Sequence, residues 1–421
     1  MPKVAQPGEY FVVGGPVQPD RACYVERAAD AELLRGVGEQ RFCHVLAARS
    51  TGKSSLLARV IRALRAQGQL AAVVDLSQIA ANTETRAATR WYYAIAYRVL
   101  RELRLKFDLQ AWWQEKSALA GEQRLAEFFV EVVLAHTSAP VTVFIDEIEH
   151  TLALPFAQDL FATIHSCYAR RVSDPDFGRL NFVVLGVASP AALCPDTSRS
   201  PFVDGLAIEP GDFTLEQCLA LAPGVAGDPD IARAVLERIH AWTGGQPYLT
   251  QRIARGVARK GGHVEDVERV VREQFLAPGA AEKDPYLSRI RLTLTRPGAR
   301  SRQALALLAE LDRGALVPEL PHSPPKELLR LAGITGSTAD GHLRYRNRIL
   351  REVFGNGWLA QVRPFDWRRG GPIAAFVATA VGAARARARN LAGREGRSDP
   401  ALTDSRDETV NLRRGFGRRS G

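Results

Sequence analysis

Apolar residues in the first half of the chain fall into short unbroken runs, separated by longer stretches with helical spacing. The first run is Cys43-His44-Val45-Leu46, followed by a predicted helix over about 53–67. A second run covers 71–76, and helical periodicity then spans about 86–105 and 121–135. The third run, Val141-Thr142-Val143-Phe144-Ile145, ends in two acids, Asp146 and Glu147. A helix over about 157–171 precedes a fourth run at 182–188, and a short fifth strand is expected at 206–208. Strands that alternate with helices and read as continuous apolar runs predict an α/β fold with a parallel sheet sandwiched by helices. A ligand of such a sheet sits at the carboxyl ends of its strands.

The pattern changes after residue 213. From about 214 to 275 it is helical only, broken in the middle by Gly244-Gly245-Gln246-Pro247. Leu305, Leu307, Leu308 and Leu311 then recur at helical spacing, ahead of a loop containing Pro318, Pro321, Pro324 and Pro325. A helix over 326–331, a hairpin over 334–347 turning at Asp340-Gly341, and a last helix over about 348–359 follow. Helices followed by a two-stranded wing resemble a winged-helix module. The expected division is an N-terminal extension (1–20), an α/β domain (21–212), a helical lid (213–280), a winged-helix-like domain (281–362) and a basic, largely disordered tail (363–421). Residues 371–384 are apolar but too short for a membrane span, which needs about 20 residues. The abrupt change there fits a short helix, an abandoned membrane segment, or a truncated or frame-shifted gene end, and all three readings stay open.

Composition narrows the class. With 46% hydrophobic and 24% charged residues, the 421-residue chain has the make-up of a soluble globular protein of two or three domains. Its five cysteines lack CxxC or other metal-like spacing, as expected of buried thiols in a reducing cytosol. The N-terminus has no apolar core of a signal peptide, so a cytoplasmic location is expected. The formal charge is +10, with much of the excess after Arg363.

The chemistry is concentrated in Ala47-Ala48-Arg49-Ser50-Thr51-Gly52-Lys53-Ser54, directly after the first strand. A strand that turns into a helix through Gly-Lys-Ser points backbone N–H groups at phosphate oxygens, and the helix N-terminus adds partial positive charge. Ala48, Arg49, Ser50, Thr51, Gly52, Lys53, Ser54 and Ser55 are the expected cradle. Lys53 reaches the β- and γ-phosphates, and the Ser54 hydroxyl ligates Mg²⁺. Asp146 is placed to hold the same metal, and Glu147 to orient an attacking water. Ala47 replaces the first glycine of the GxxxxGKS pattern.

Several stretches in this order, FVVGGPVQPDRACYVERAADAELL, AARSTGKS, VFIDEIEH, LGVASPAAL and TGGQPYLTQ, resemble the AAA-like P-loop ATPase modules of bacterial multidomain proteins, related to the STAND signalling ATPases. The resemblance covers about residues 9–360. It implies ATP and Mg²⁺ as cofactors, with Tyr24 and Val25 beside the adenine. It also implies Ser189 as a polar sensor of the γ-phosphate, and Pro247 of Gly245-Gln246-Pro247 as a lid residue packing on the adenine. Arg170, Arg171 and Arg199 are candidates for an arginine finger, although surface salt bridges suit each better. Trp91, Trp112 and Trp113 fit helical core positions, and His150 a structural one.

The function expected is an ATP-binding, slowly hydrolysing molecular switch in bacterial signalling, with a protein partner or a nucleotide-dependent homo-oligomer. Two rivals stand beside it. One is an ATP-regulated DNA-binding protein that reads through the wing, where Arg344, Arg346, Arg348 and Arg351 cluster. The other is a nucleotide-locked scaffold without turnover.

Overall fold

A computed structural model describes residues 9–79, 85–319 and 323–362. The expectations for the tail after 362, for residues 1–8 of the N-terminal extension and for Pro321 lie outside the described residues. The first half contains α1 (Ala28–Gly38), β1 (Cys43–Leu46), α2 (Lys53–Ala66), β2 (Leu70–Asp75), α3 (Thr85–Glu102), α4 (Leu109–Glu115), α5 (Gly121–Glu127), β3 (Val141–Asp146), α6 (Ala157–Ala169), β4 (Leu180–Gly186), α7 (Pro190–Leu193) and β5 (Leu206–Ala207). The second half holds α8 (Leu215–Leu219), α9 (Pro229–Thr243), α10 (Pro247–Ala258), α11 (Glu265–Val271), α12 (Ala280–Lys283), α13 (Pro285–Leu294), α14 (Ala299–Asp312), α15 (Pro324–Ala332), β6 (Thr335–Ser337), β7 (Leu343–Tyr345), α16 (Arg348–Phe354) and α17 (Asn356–Val362).

Strands β1–β5 form one parallel sheet in the order β2-β3-β4-β1-β5. β4 therefore lies between the phosphate-loop strand and the acid-ended strand. Alternate residues serve opposite faces, as the two-residue strand period requires. Val45, Phe144, Val183 and Leu185 pack against Leu33, Leu56, Val60 and Leu64 of α1 and α2. Val143, Ile145, Phe182 and Val184 meet an aromatic layer with Trp91, Tyr92, Phe128, Phe129 and Phe161. Trp112 and Trp113 belong to this layer, and Trp112 Nε1 donates to Glu131 Oε2 at 2.9 Å.

Element ends differ from the periodicity for identifiable reasons. β4 stops at Gly186, opposite Leu46, because β1 supplies no partner beyond that point. β2 ends at Asp75, whose carboxylate turns to accept from the Ser77 amide at 2.9 Å. The expected helix over 121–135 widens into π-type turns from Phe128 to Leu134. The last helix is two, α16 and α17, divided at Gly355. Helix α4, capped by Asp108, carries Trp112 and Trp113, which were expected at helical core positions without bounds for their helix.

The lid and C-terminal segments share a single apolar cluster: Val235, Leu249 and Phe275 join Ile290, Leu308, Leu350 and Phe354 in it, as does Phe11 of the N-terminal segment. β6 and β7 pair antiparallel with Gly341 in the turn, and Leu343 N donates to the Val317 carbonyl at 2.8 Å. No helix among the described residues is long and apolar enough to cross a membrane. All five cysteines are buried and free.

Candidate nucleotide site

The loop from Ala47 to Gly52 leaves the sheet where β1 ends, and Ala47 N still donates to the Gly186 carbonyl at 3.0 Å. Gly52, at φ +86°, forms the N-cap of α2 in the left-handed region that favours glycine. No side chain caps this 14-residue helix, so its first amides are left to a ligand. That is the anion-binding arrangement expected for phosphate. Ser50 is also left-handed, at φ +63°, as is Glu147 at +55°. Two non-glycine residues in this sparsely populated region, one in the phosphate loop and one at the end of β3, fit a pattern concentrated at functional positions.

Lys53 Nζ donates to the carbonyls of Ala47 (2.7 Å) and Ala48 (2.9 Å), folding back over its own loop. Burial pulls its pKa down to about 8, against the opposing pull of Glu149, Asp146 and Glu147. Asp146 ends β3, and burial raises its pKa although it accepts from the Glu147 amide at 2.8 Å. A divalent cation would offset that desolvation cost, which fits Asp146 as a ligand. Ser54 is exposed at the helix start. Among the described residues no group of three or more His, Cys, Asp or Glu forms a metal cage. Metal held with a nucleotide suits this donor set, since Mg²⁺ is commonly bound through one or two carboxylates plus substrate phosphates.

Arg49 binds both Glu147 Oε2 and Glu149 Oε1 at 2.9 Å. The other Glu149 oxygen accepts from Val187 N at 2.9 Å. One arginine thus joins the phosphate loop, the acid strand and the end of β4. Sequence reasoning had given Arg49 only a place in the cradle and had missed Glu149, although it lies two residues beyond Glu147.

The remaining site candidates are arranged around this centre. Thr51 Oγ1 donates to the Ala48 carbonyl at 2.9 Å, and Ser55 Oγ accepts from Val17 N at 2.9 Å. Tyr24 OH donates to Asp30 Oδ1, and the Arg59 guanidinium stands 5.0 Å from the Tyr24 ring centre. Val25 is buried in the same cluster as the lid. Pro247 is buried at the start of α10. The α10 side chain of Gln251 donates to the Cys23 carbonyl at 2.9 Å, and Gln246 donates to the Ser50 carbonyl at 2.9 Å. The lid helix is therefore tied to both the Tyr24 segment and the phosphate loop. Ser189 caps α7, accepting from Ala192 N at 3.2 Å.

Two further contacts had no sequence signal. Arg27 Nη1 donates to the carbonyls of Thr51 (2.6 Å) and Gly211 (3.3 Å). Arg346, in the hairpin, grips Asp212 with two bonds, Nε–Oδ2 at 2.8 Å and Nη2–Oδ1 at 2.6 Å. Beside it, Gly333 approaches the loop so closely that a methyl there would lie 3.1 Å from Ala48 Cβ.

Of the arginine-finger candidates, Arg171 is spent on the Gln40 and Leu180 carbonyls at 2.6 Å each. Arg170 lies over Phe177 at 4.4 Å, and Arg199 is exposed. His150 Nδ1 pairs with the Glu147 carbonyl at 3.0 Å.

Residues 12–296 match the AAA-like domain family. The chain is 32% identical over 376 residues to an uncharacterized WD repeat-containing protein of Synechocystis sp.. The alignment covers 84% of this chain but 31% of that protein, so the chain spans about a third of its relative's length. Among solved structures it is similar to a Walker-type ATPase of Pyrococcus abyssi, with 14% identity, a TM-score of 0.49, and coverage of 82% of this chain and 99% of that one. It is also similar to Cdc6p of Pyrobaculum aerophilum, with 16% identity, a TM-score of 0.43, and coverage of 83% and 98%. With a P-loop between β1 and α2, an acid-ended β3 and a family match over more than half of its length, this chain belongs to the AAA-like domain family.

Proposed function

We propose that the chain is an ATP-operated switch, of the kind used in signalling by STAND-type proteins. Ala48 to Ser55 would cradle the phosphates, and Ser54 and Asp146 would hold Mg²⁺. When bound, ATP with its metal supplies a phosphoryl group open to attack by water, and Glu147 is the residue that would orient that water. Tyr24, Val25 and Pro247 would border the adenine, and Ser189 would lie towards the γ-phosphate end.

The observation that carries the reading is that the lid and the C-terminal segment reach either the phosphate loop or Asp212, next to the Gly211 carbonyl that Arg27 ties to that loop. Gln246 of the lid binds the Ser50 carbonyl, Gly333 lies against Ala48, and Arg346 grips Asp212. A ligand that reshapes this loop therefore changes the footing of both the lid and the winged-helix-like segment. Such a ligand can shift a two-state equilibrium only by its differential affinity for the two states. The WD repeats named for the Synechocystis relative suit a sensor or partner acting on this switch.

Reading nucleic acid through the wing is the weaker account. Arg346 is committed to Asp212, and Arg348 stands 3.8 Å from the Trp242 ring centre.

The test is nucleotide-dependent stability. Mg-ATP at about 100 times its Kd should stabilise the protein by about 2.7 kcal/mol, and Lys53→Ala should abolish the shift. Glu147→Gln should keep the shift and lose turnover. Equal shifts in wild type and Lys53→Ala would refute the nucleotide site. Turnover that survives in Glu147→Gln would move the base elsewhere.

A further inference from the structure

Away from the phosphate loop, the far end of α10 and the turns after α11 enclose a groove of about 380 Å³. Its lining is Arg252, Arg255, Gly256, Arg259, Lys260 and Gln274, with no carboxylate and no aromatic ring. The three arginines recur at i, i+3 and i+7, on one helix face. At 1.5 Å per residue the row is about 10 Å long.

The charges are unequally balanced. Arg252 is paired with Asp284 at 2.8 Å and donates to Gln274 Oε1 at 3.0 Å. Lys260 meets Glu273 at 3.0 Å. Among the described residues, Arg255 and Arg259 have no carboxylate within 4.0 Å. Arg255 is only partly exposed, and burial lowers its pKa, with the like charges of Arg259 and Arg252 adding to the effect. This partly buried guanidinium thus has two others beside it and, among the described residues, no carboxylate in contact.

We propose that this groove is a second anion site, which takes a chain of phosphate groups from a free polyphosphate or from the backbone of a nucleic-acid strand. Guanidinium forks match phosphate oxygens with paired bonds. A row of them suits several linked oxyanions better than one. With no ring to stack on, the site reads charge and not bases, so it does not discriminate sequence. It is independent of the ATP reading, since it shares no residue with the phosphate loop.

Two probes distinguish the sources, both measured with saturating Mg-ATP present so that the phosphate loop is filled. Inorganic tripolyphosphate is followed by calorimetry, and a fluorescent oligothymidylate of about 12 nucleotides by anisotropy. The variants are Arg255→Glu/Arg259→Glu and the milder Arg255→Gln/Arg259→Gln. Removing two uncompensated like charges should leave the ligand-free melting temperature unchanged or higher, which shows that the variants fold.

If the groove takes free polyphosphate, tripolyphosphate binds wild type and weakens at least tenfold in both variants. If it takes a nucleic-acid backbone, the oligonucleotide weakens at least tenfold. Its log–log salt slope also loses about 1.4, at about 0.7 per phosphate on a single strand. Wild-type affinity for both probes in both variants overturns the proposal, and so does a failure of wild type to bind either.

Discussion

The bond between Arg346 and Asp212 joins the hairpin to the segment that follows β5, and its removal has a calculable effect. The two side chains are only 12% and 24% exposed. Breaking a fully buried pair by deleting one partner costs about 3–5 kcal/mol, whereas an exposed pair contributes about 0–1. Asp212 can rehydrate in part, so Arg346→Ala should cost about 2 kcal/mol, an intermediate value between those limits. For a folded body of this size that is a melting shift of roughly 3 °C. A double-mutant cycle with Asp212→Asn isolates the pair, and the coupling should be close to the full 2 kcal/mol or so, because the bidentate geometry has no substitute donor. Chemical denaturation of the four proteins measures it. The same cycle read by nucleotide dissociation tests the switch, since freeing the hairpin should speed release. A coupling below about 0.5 kcal/mol, the usual scatter of additivity, would refute the view that this bond holds the hairpin to that segment. Unchanged release would separate the bond from switching.

Three other outcomes are expected. Arg49→Ala should cost under about 1 kcal/mol of stability, because its ion pairs are partly exposed. ATP turnover in the same variant should fall at least tenfold, and wild-type turnover would remove Arg49 from the site. Gly245→Ala should destabilise by more than about 3 kcal/mol: φ is +78° and the new Cβ would stand 1.8 Å from the Phe213 carbonyl oxygen. A melting point matching wild type would show that this junction yields easily. His44, buried in β1, has its pKa lowered to about 4 by burial. The unfolded chain takes up a proton near pH 6.5 while the native imidazole stays neutral, so stability is full above 6.5 and drains as pH falls towards 4. Between pH 6 and 4.5 the loss should be about 2 kcal/mol at 1.36 kcal/mol per unit. His44→Gln should flatten that part of the stability–pH curve, and an unchanged slope would exonerate His44.

The sheet was legible because strands buried on both faces must be apolar throughout, and Val141 to Ile145 could hardly be anything else. The phosphate loop was legible because its chemistry is local: Gly52, Lys53 and Ser54 are neighbours in sequence as well as in space. The parts that were not legible depend on distance along the chain. Arg346 and Asp212 are 134 positions apart, and nothing in either neighbourhood announces the other. Arg49 reads as a loop residue until its two carboxylates arrive from 98 and 100 positions away. Helix α4 is seven residues long, too short for periodicity to register. The wing arginines looked alike in sequence, and only packing turned Arg346 inward.

The apolar cluster of the second half has a consequence for how this protein is made. Phe11 and Leu359, near opposite ends of the described chain, belong to it together. The region matching the family ends at residue 296, inside that cluster and ahead of Leu308, Leu329, Ile349 and Phe354. A ribosome that has released the five sheet strands has everything the first layer requires. The lid, however, keeps an open apolar flank until the chain has emerged past Leu359. Domains tend to fold as units during synthesis, and exposed apolar surface invites aggregation in the interval. A fragment for expression or grafting should therefore reach at least Leu359, since one cut at the family limit would lose 11 of the 37 buried residues of that cluster.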